Sequence, residues 1–392
     1  MKKNRFTVFI IVLAQFCSTS LWFATNAVLG DLILTFELDS KALEHLTSAV
    51  QFGFILGTLL FALFSVADRF SPSKVFFICA MLGAGINLAT ILDTNSFFSL
   101  LLIRFSSGFF LAGIYPVGMK IASDYREKGL GKALGFLVGA LVLGTAFPHL
   151  LNGTIFKISW QAVIIATSTI ALFGGLLILL FVPNGPYRKR NYKPAFKTGM
   201  VIFKNPELRT AAFGYFGHMW ELYTFWAFVP IILTTYLGFH NSAPLNISLF
   251  SFIVIGVGGI SCVLGGFLSS KYGEKRVART ALLLSGCCCF LSPLLFYTES
   301  EILFIGFLVF WGMAVVADSP LFSTLVAKNT PAEYRATSLT LVNSIGFTIT
   351  IVSIQFISFI SNYLDPKFLY LILGIGPILG VIALFQEKKS IQ

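Results

Sequence analysis

The chain has 392 residues, of which 56% are hydrophobic and only 11% are charged. Soluble domains carry about 25% charged residues, and a soluble protein of this length could not bury so much apolar surface, so a soluble fold is excluded. The net charge of +11 would suggest a nucleic-acid or acidic partner in a soluble protein. Here the aromatic residues lie in the apolar stretches rather than beside the basic clusters, which argues against nucleic acid.

Twelve apolar stretches follow one another, each near or above the roughly 20 residues that cross a bilayer as a helix. Of the 28 Lys and Arg residues, 24 lie at the N-terminus, in every second gap or in the tail. Because cytoplasmic loops are enriched in cations, this alternation predicts 12 transmembrane helices with both termini cytoplasmic, and it accounts for the net charge. The stretches run roughly over 6–32, 42–66, 74–94, 96–121, 130–154, 159–182, 208–236, 244–269, 277–297, 301–326, 336–362 and 366–386.

The longest polar interruption, residues 183–207, divides the stretches six and six. It is rich in Lys, Arg and Pro, and it predicts two six-helix bundles, residues 1–182 and 208–392, joined by a basic cytoplasmic linker. A repeat supports this division, because the gaps after the second and the eighth stretch each hold a cation, an aromatic residue, a tight-turn residue and further cations. Two such halves related by an axis along the membrane normal are a known transporter plan.

These features resemble the major facilitator superfamily over essentially the whole chain. The family's loop motif, G-x-L-A-D-R-x-G-R-K-x, is split between the two gaps: the first keeps Asp68 and Arg69, and the second has Ser270 in place of the acid. Residues 104–108 (RFSSG) resemble the family's fourth-helix motif R-x-x-Q-G. The glycine-rich fifth-helix motif appears loosely at Gly135, Gly139, Gly144 and Pro148.

The resemblance implies an all-α membrane protein with a small-molecule substrate, in a bacterial inner membrane, and a monomer is expected. Two further runs, residues 217–223 and 316–320, resemble those of a poorly characterised bacterial subgroup. The resemblance also implies a role in conformational gating for Asp68, Arg69, Lys74, Gly266, Lys271, Gly273 and Lys275.

Three ionisable residues interrupt the apolar stretches, where a charge costs at least about 2.5–3.5 kcal/mol. Arg104, in the fourth stretch, is interpreted either as an anchor for substrate or proton-linked switching, or as a structural cation bonded to backbone carbonyls of neighbouring helices. Asp318, toward the cytoplasmic third of the tenth stretch, is followed by Pro320, which predicts a kink. Asp318 is a candidate proton site or inner gate, or the partner of a cytoplasmic Lys or Arg.

Glu221 lies near the middle of the seventh stretch, with His218 three residues earlier on the same helical face. A carboxylate that loads and releases a proton could couple a proton gradient to substrate movement. The alternative is a Glu–His pair that holds helices together. Trp220, Tyr223 and Trp226 flank these residues as possible pocket walls.

Neutral polar residues support a central cavity more weakly, because each is as readily explained by an interhelical hydrogen bond. The candidates for substrate contact, with the nearby Trp22 as a further pocket wall, are Asn26, Gln51, Tyr115, His149 and Asn343.

The sequence therefore predicts a secondary active transporter that moves a small solute by alternating access and is coupled to protons. The substrate is left open between a small organic anion and a lipophilic, drug-like compound. No phosphate-binding loop is present, so ATP is not expected to drive transport directly. The cysteine spacing predicts neither a metal site nor a disulfide framework, and no cofactor is expected. The alternative function is a polytopic membrane enzyme with His218 and Glu221 as acid–base groups.

Overall fold

The structure is a computed structural model that describes residues 2–39, 41–125, 130–154, 158–188, 204–240, 245–331 and 334–385. The described residues contain helices and loops but no β-strand. Most of the predicted linker, residues 189–203, lies outside the described residues. Each predicted apolar stretch has a helical counterpart, and these counterparts are here called segments 1 to 12.

The first six segments are helical over most of their length, but segments 1 and 4 are interrupted. Segment 3 ends in a 3₁₀ turn, and a short helix, Val66–Arg69, lies in the loop after segment 2. In chain order, segments 1 to 6 comprise Lys2–Thr19 with Ala24–Ala27 and Leu29–Thr35; Ala42–Leu63; Pro72–Leu88 with Ala89–Ile91; Phe97–Leu111 with Tyr115–Asp124; Leu130–Asn152; and Trp160–Phe181.

The last six segments follow the same plan, with interruptions in segments 8, 10 and 12. Segment 7 is the longest continuous helix, at 35 residues. In chain order, segments 7 to 12 comprise Pro206–His240; Ile247–Gly256 with Gly258–Tyr272; Glu274–Leu295; Glu301–Ala314 with Ser319–Lys328; Arg335–Ile360; and Leu369–Gly374 with Ile375–Phe385.

Ten of these segments are long and apolar enough to cross a membrane, by their length and composition among the described residues. Segments 1 and 12 hold shorter apolar helices, Phe6–Thr19 and Leu369–Phe385, so the count of 12 transmembrane helices stays a prediction. Segment 1 breaks at residues 20–23. The carbonyls of Leu21 and Trp22 in this break accept hydrogen bonds from Arg104 of segment 4. Segment 12 begins as a 3₁₀ helix. The chain is a multi-pass membrane protein.

Contacts between loops place the gaps that follow even-numbered segments at one end of the bundle. Lys120 in the last turns of segment 4 reaches Asp68 after segment 2 at 3.0 Å, and Asn205 before segment 7 donates to the carbonyl of Asn329 after segment 10. This end carries most of the cations and is called the basic end. At the opposite end, Asn152 of segment 5 donates to Ser248 of segment 8 at 2.9 Å.

The two halves meet along two helix pairs, segment 2 with segment 11 and segment 5 with segment 8. Glycines permit the second contact: a Cβ at Gly139 would lie 2.8 Å from the carbonyl oxygen of Gly259, and one at Gly259 would lie 2.9 Å from that of Gly139. Close approach through small residues is how helices associate tightly in lipid. The glycines of segment 5 therefore allow close packing of the two halves.

Candidate functional site

Aromatic rings from both halves meet in the middle of the bundle. Trp22, in the break of segment 1, stacks on Tyr223 of segment 7 with ring centroids 5.6 Å apart. It also contacts Phe54 of segment 2 at 4.9 Å and Phe347 of segment 11 at 5.6 Å. Phe54 and Phe347 contact each other at 4.6 Å. These four residues are called the central aromatic cluster, and they connect the N-terminal half to the C-terminal half.

Arg104 holds the segment 1 break that presents Trp22. Its guanidinium donates to the carbonyl of Leu21 at 3.1 Å and to the carbonyl of Trp22. The side chain is fully buried, and Nε has no partner among the described residues. These contacts fit the structural alternative for Arg104, because its guanidinium binds backbone carbonyls of a neighbouring helix and does not face the central aromatic cluster.

Several buried polar atoms around the cluster have no hydrogen-bond partner in the described part of the chain: Nε1 of Trp22 and Trp226, both amide atoms of Gln51, and Nε2 of His149. Phe23 links two of these residues, with its ring 6.4 Å from His149 and 6.3 Å from Trp226. Gln51 lies one turn before Phe54 on segment 2. Buried polar groups in proteins normally have partners, so this region is chemically suited to bind a polar solute.

Glu221 lies inside the C-terminal half, between segments 7, 9 and 10. Its carboxylate accepts hydrogen bonds from Ser285 at 2.9 Å, from Cys289 at 3.3 Å and from Nε1 of Trp311 at 2.6 Å. Glu221 is fully buried, as is Trp311. Both carboxylate oxygens are therefore occupied, and three segments are joined at this residue, called the Glu221 hub.

His218 pairs with Asp318 and not with Glu221. Nδ1 of His218 lies 2.8 Å from Oδ1 of Asp318, and both side chains are 1% exposed. Nε2 of His218 and Oδ2 of Asp318 have no partner among the residues described. The alternative of a Glu–His pair was wrong, because His218 is turned toward segment 10 while Glu221 reaches segments 9 and 10 farther along the helix. The proposed enzyme chemistry needed these two groups together, so the structure does not support it.

Asp318 occupies the break in segment 10, directly before the helix Ser319–Lys328. Its backbone carbonyl accepts from the amides of Leu321 and Phe322, and Pro320 stands in the first turn, where its missing N–H costs nothing. The predicted interruption near Pro320 is confirmed. The alternative that Asp318 pairs with a cytoplasmic Lys or Arg was wrong, because the break holds the carboxylate inside the bundle beside segment 7.

The remaining predicted contact residues lie in different surroundings. Asn26 is half-buried and donates to Thr47 of segment 2 at 2.7 Å, which is the interhelical bond that the alternative predicted. Trp220 donates to the carbonyl of Ile372 in segment 12, so it does not face the central aromatic cluster. Tyr115 and Asn343 are each 8% exposed and make no side-chain hydrogen bond within the described part of the chain.

One of the predicted gating residues, Asp68, makes an ion pair at the basic end, and the second half holds a matching ion pair between residues that were not predicted. Asp68 in the loop after segment 2 binds Lys120 of segment 4 at 3.0 Å. In the second half, Glu274 after segment 8 binds Lys328 of segment 10 at 2.5 Å. The loop motif expects an acid where this chain has Ser270. Glu274, four residues later, supplies that acid.

The other gating candidates contribute cations or backbone freedom. Arg69, Lys74 and Lys275 make no ion pair with any residue that the structure describes, and Lys271 lies over the ring of Tyr272 at 5.0 Å. Gly266 packs against segment 5. Gly273 has φ of 85° with open space around it, so glycine is needed for the backbone conformation that begins segment 9.

Some site residues carried no recognisable signal in the sequence. Phe54 and Phe347 are two of 43 phenylalanines, most of which read as lipid-facing. Ser285, Cys289 and Trp311 bind Glu221, but they are 64 to 90 positions away from it. The sequence indicates only that a buried carboxylate needs hydrogen-bond donors. It does not indicate which helices provide those donors.

Comparison with known proteins agrees with this architecture. The sequence profile of the Major Facilitator Superfamily matches residues 11–354. The fold is similar to that of the proton:xylose symporter XylE bound to 6-bromo-6-deoxy-D-glucose, with a TM-score of 0.76, 16% identity, and 97% of this chain and 95% of that chain covered. It is also similar to the human organic anion transporter MFSD10, with a TM-score of 0.78, 14% identity, and 97% and 99% covered. Among curated proteins, none matches the sequence.

Proposed function

This chain belongs to the major facilitator superfamily of transporters, and from that premise we propose that it moves a small solute through the centre of the bundle, coupled to protons by the pair His218–Asp318. The observation that carries the proposal is the position of this pair, buried at the break of segment 10 with Nδ1 and Oδ1 2.8 Å apart. Ionisable groups inside a membrane are expensive and mark proton or substrate pathways.

The pair is better suited to proton transfer than the Glu221 hub. Nε2 of His218 and Oδ2 of Asp318 are without partners among the described residues, so each group retains an atom that can give or take a proton. Both oxygens of Glu221 accept hydrogen bonds, which favours a fixed role. We therefore assign coupling first to Asp318 with His218, and we assign Glu221 to holding segments 7, 9 and 10 together.

Coupling follows from the electrostatics of the pair. When the pair shares one proton, it is either a carboxylate beside an imidazolium or two neutral groups. In both forms the attraction between segments 7 and 10 persists. A second proton leaves imidazolium beside a neutral carboxyl group, which weakens the attraction. Because Asp318 sits at a helix break, a change in this contact can move the Ser319–Lys328 helix relative to segment 7. A proton arriving from one side of the membrane would then bias the bundle toward one state.

Among substrate classes, the geometry favours a lipophilic, drug-like compound over an organic anion. The centre offers aromatic faces and uncharged polar atoms of Trp22, Trp226, Gln51 and His149. The nearby cation, Arg104, is bonded to the carbonyls of segment 1. A solute with an apolar body and a few hydrogen-bonding groups matches these surroundings.

The likeness to a proton:xylose symporter and to an organic anion transporter supports the proposal only at the level of fold, at 16% and 14% identity. Orientation is proposed from the cations: the basic end faces the cytoplasm of a bacterial inner membrane, and both chain termini lie there. The two halves, residues 1–182 and 208–392, move as the alternating units, joined by the linker at 183–207.

The test begins with a thermal-shift screen of uncharged and anionic small solutes on the purified full chain. A compound that stabilises the protein is then taken up by proteoliposomes with and without an imposed pH gradient. We expect the gradient to drive accumulation, Asp318→Asn to abolish that accumulation while exchange of labelled for unlabelled compound continues, and the exposed-acid control Glu299→Gln to behave as the parent. Accumulation that ignores the gradient, or survives Asp318→Asn, would exclude this coupling.

A further inference from the structure

An apolar groove opens on the lipid-facing surface between segments 8, 9 and 10. Its volume is about 630 Å³. The walls include Leu264, Leu268, Leu284 and Phe310, whose side chains are 43 to 48% exposed. Small residues of the three segments form its floor. The groove is mostly apolar, and it shares no residue with the central aromatic cluster.

One end of the groove is basic. Arg276, near the start of segment 9, lines the groove and is exposed. Among the described residues, no carboxylate lies within 4.0 Å of its guanidinium. The nearest acid in the sequence, Glu274, already binds Lys328 at 2.5 Å. Arg279 of the same segment stacks on Phe385 at 4.3 Å and adds to the positive charge.

We propose that this groove binds one anionic phospholipid, with an acyl chain along the apolar walls and the phosphate on Arg276. An acyl chain is the apolar ligand that a bilayer supplies at this surface. Guanidinium groups bind phosphate through two parallel hydrogen bonds. Basic pockets between transmembrane helices on the cytoplasmic side are suited to anionic headgroups, and the basic end is proposed to face that leaflet.

The lipid would contact the break in segment 10. Ala314, the last residue of the helix before the break, and Ala317, within the break, both line the groove. Ser261 of segment 8 donates to the carbonyl of Met313 at 2.8 Å across the floor. The proposal does not depend on proton coupling, because binding at the groove is measured without any substrate or gradient.

Native mass spectrometry of the full chain in detergent tests the headgroup. Dioleoylphosphatidylglycerol and dioleoylphosphatidylcholine are added separately at equal concentration, so that only the headgroup differs. We expect about fivefold more bound phosphatidylglycerol, the factor that one surface cation contributes, and a fall to the phosphatidylcholine level in Arg276→Gln. Arg209→Gln removes an exposed cation at the same end and away from the groove, and it should leave binding unchanged.

A second pair of variants tests the apolar walls. Leu284→Trp fills the groove and should reduce binding of both lipids, whereas Leu283→Trp, at the adjacent position with similar exposure and outside the groove, should not. If Leu284→Trp fails to fold, Leu268→Trp replaces it. The proposal is overturned if the two lipids bind equally, if Arg209→Gln lowers binding as much as Arg276→Gln, or if filling the groove leaves lipid binding intact.

Discussion

His218 of segment 7 and Asp318 of segment 10 lie with Nδ1 and Oδ1 2.8 Å apart, and both side chains are 1% exposed. This contact joins the longest continuous helix among the described residues to a segment that is interrupted at Asp318 itself. Removing one member of a buried pair leaves the other uncompensated, so the contact makes a strong prediction about stability as well as coupling.

His218→Phe should lower the free energy of unfolding by about 3–5 kcal/mol, because the Asp318 carboxylate loses its partner in a fully buried site. Phenylalanine suits the neighbouring rings of Tyr215 and Phe322, 5.9 Å from His218. The double variant His218→Phe with Asp318→Asn should cost less than the two single changes added together. Reversible unfolding in mixed micelles measures the four free energies, and simple additivity would show that the two groups do not interact.

Arg104→Lys should loosen the break of segment 1 although the positive charge remains. A lysine ammonium cannot reproduce the forked donation to the Leu21 and Trp22 carbonyls. Hydrogen–deuterium exchange of the amides at 20–23 should become faster, with no change in Arg209→Lys as the exposed control. If Arg104 served instead to bind an anion, ligand affinity would fall while exchange at 20–23 stayed as in the parent.

How well the sequence predicts a structural feature depends on how far apart in the chain the interacting residues lie. Hydropathy is local, so the segments and the intramembrane charges Arg104, Glu221 and Asp318 could be read from the sequence. Their partners could not, because a spacing of three between His218 and Glu221 does not fix which helix each side chain faces. The break at 20–23 was missed for a similar reason: its freed carbonyls are compensated by Arg104, 82 positions away.

Glu221→Gln should destabilise the protein by about 1–3 kcal/mol, because an amide oxygen and an amide nitrogen cannot accept from all three donors of the Glu221 hub. Trp311→Phe, which removes one donor, should be destabilising in the same way. Both variants should retain gradient-driven accumulation in the proteoliposome assay. Loss of coupling in Glu221→Gln without a change in stability would make Glu221 a proton carrier.

The ion pair Glu274–Lys328 should control the conformational equilibrium rather than stability, since surface pairs contribute about 0–1 kcal/mol. Reversing one charge, as in Lys328→Glu, should separate the basic ends of segments 9 and 10. The double exchange Glu274→Lys with Lys328→Glu should restore the parent arrangement. Distances between spin labels on the two segments test this, and a double variant no closer to the parent than the single one would contradict it.

The end opposite the basic end is closed by hydrogen bonds between the halves, which predicts how the protein opens there. Ser358 donates to Glu44 at 2.6 Å, and Gln355 donates to Ser48 at 2.9 Å, both between segments 11 and 2. Removing them with Ser358→Ala and Gln355→Ala should raise the population open at this end by about tenfold, since each bond contributes about 0.5–1.5 kcal/mol.

Gln51→Cys reports this opening, because Gln51 is fully buried in the closed arrangement. The reporter is placed in a chain whose exposed Cys287 is replaced by serine, and intact cells are treated with a maleimide that does not cross membranes. Labelling should be slow in the parent and about tenfold faster in the double alanine variant, by the same population shift. Ser361→Ala, which removes a local bond at the C-terminal end of segment 11, is the control. Equal labelling rates in the variant and the control would show that these bonds do not hold this end closed.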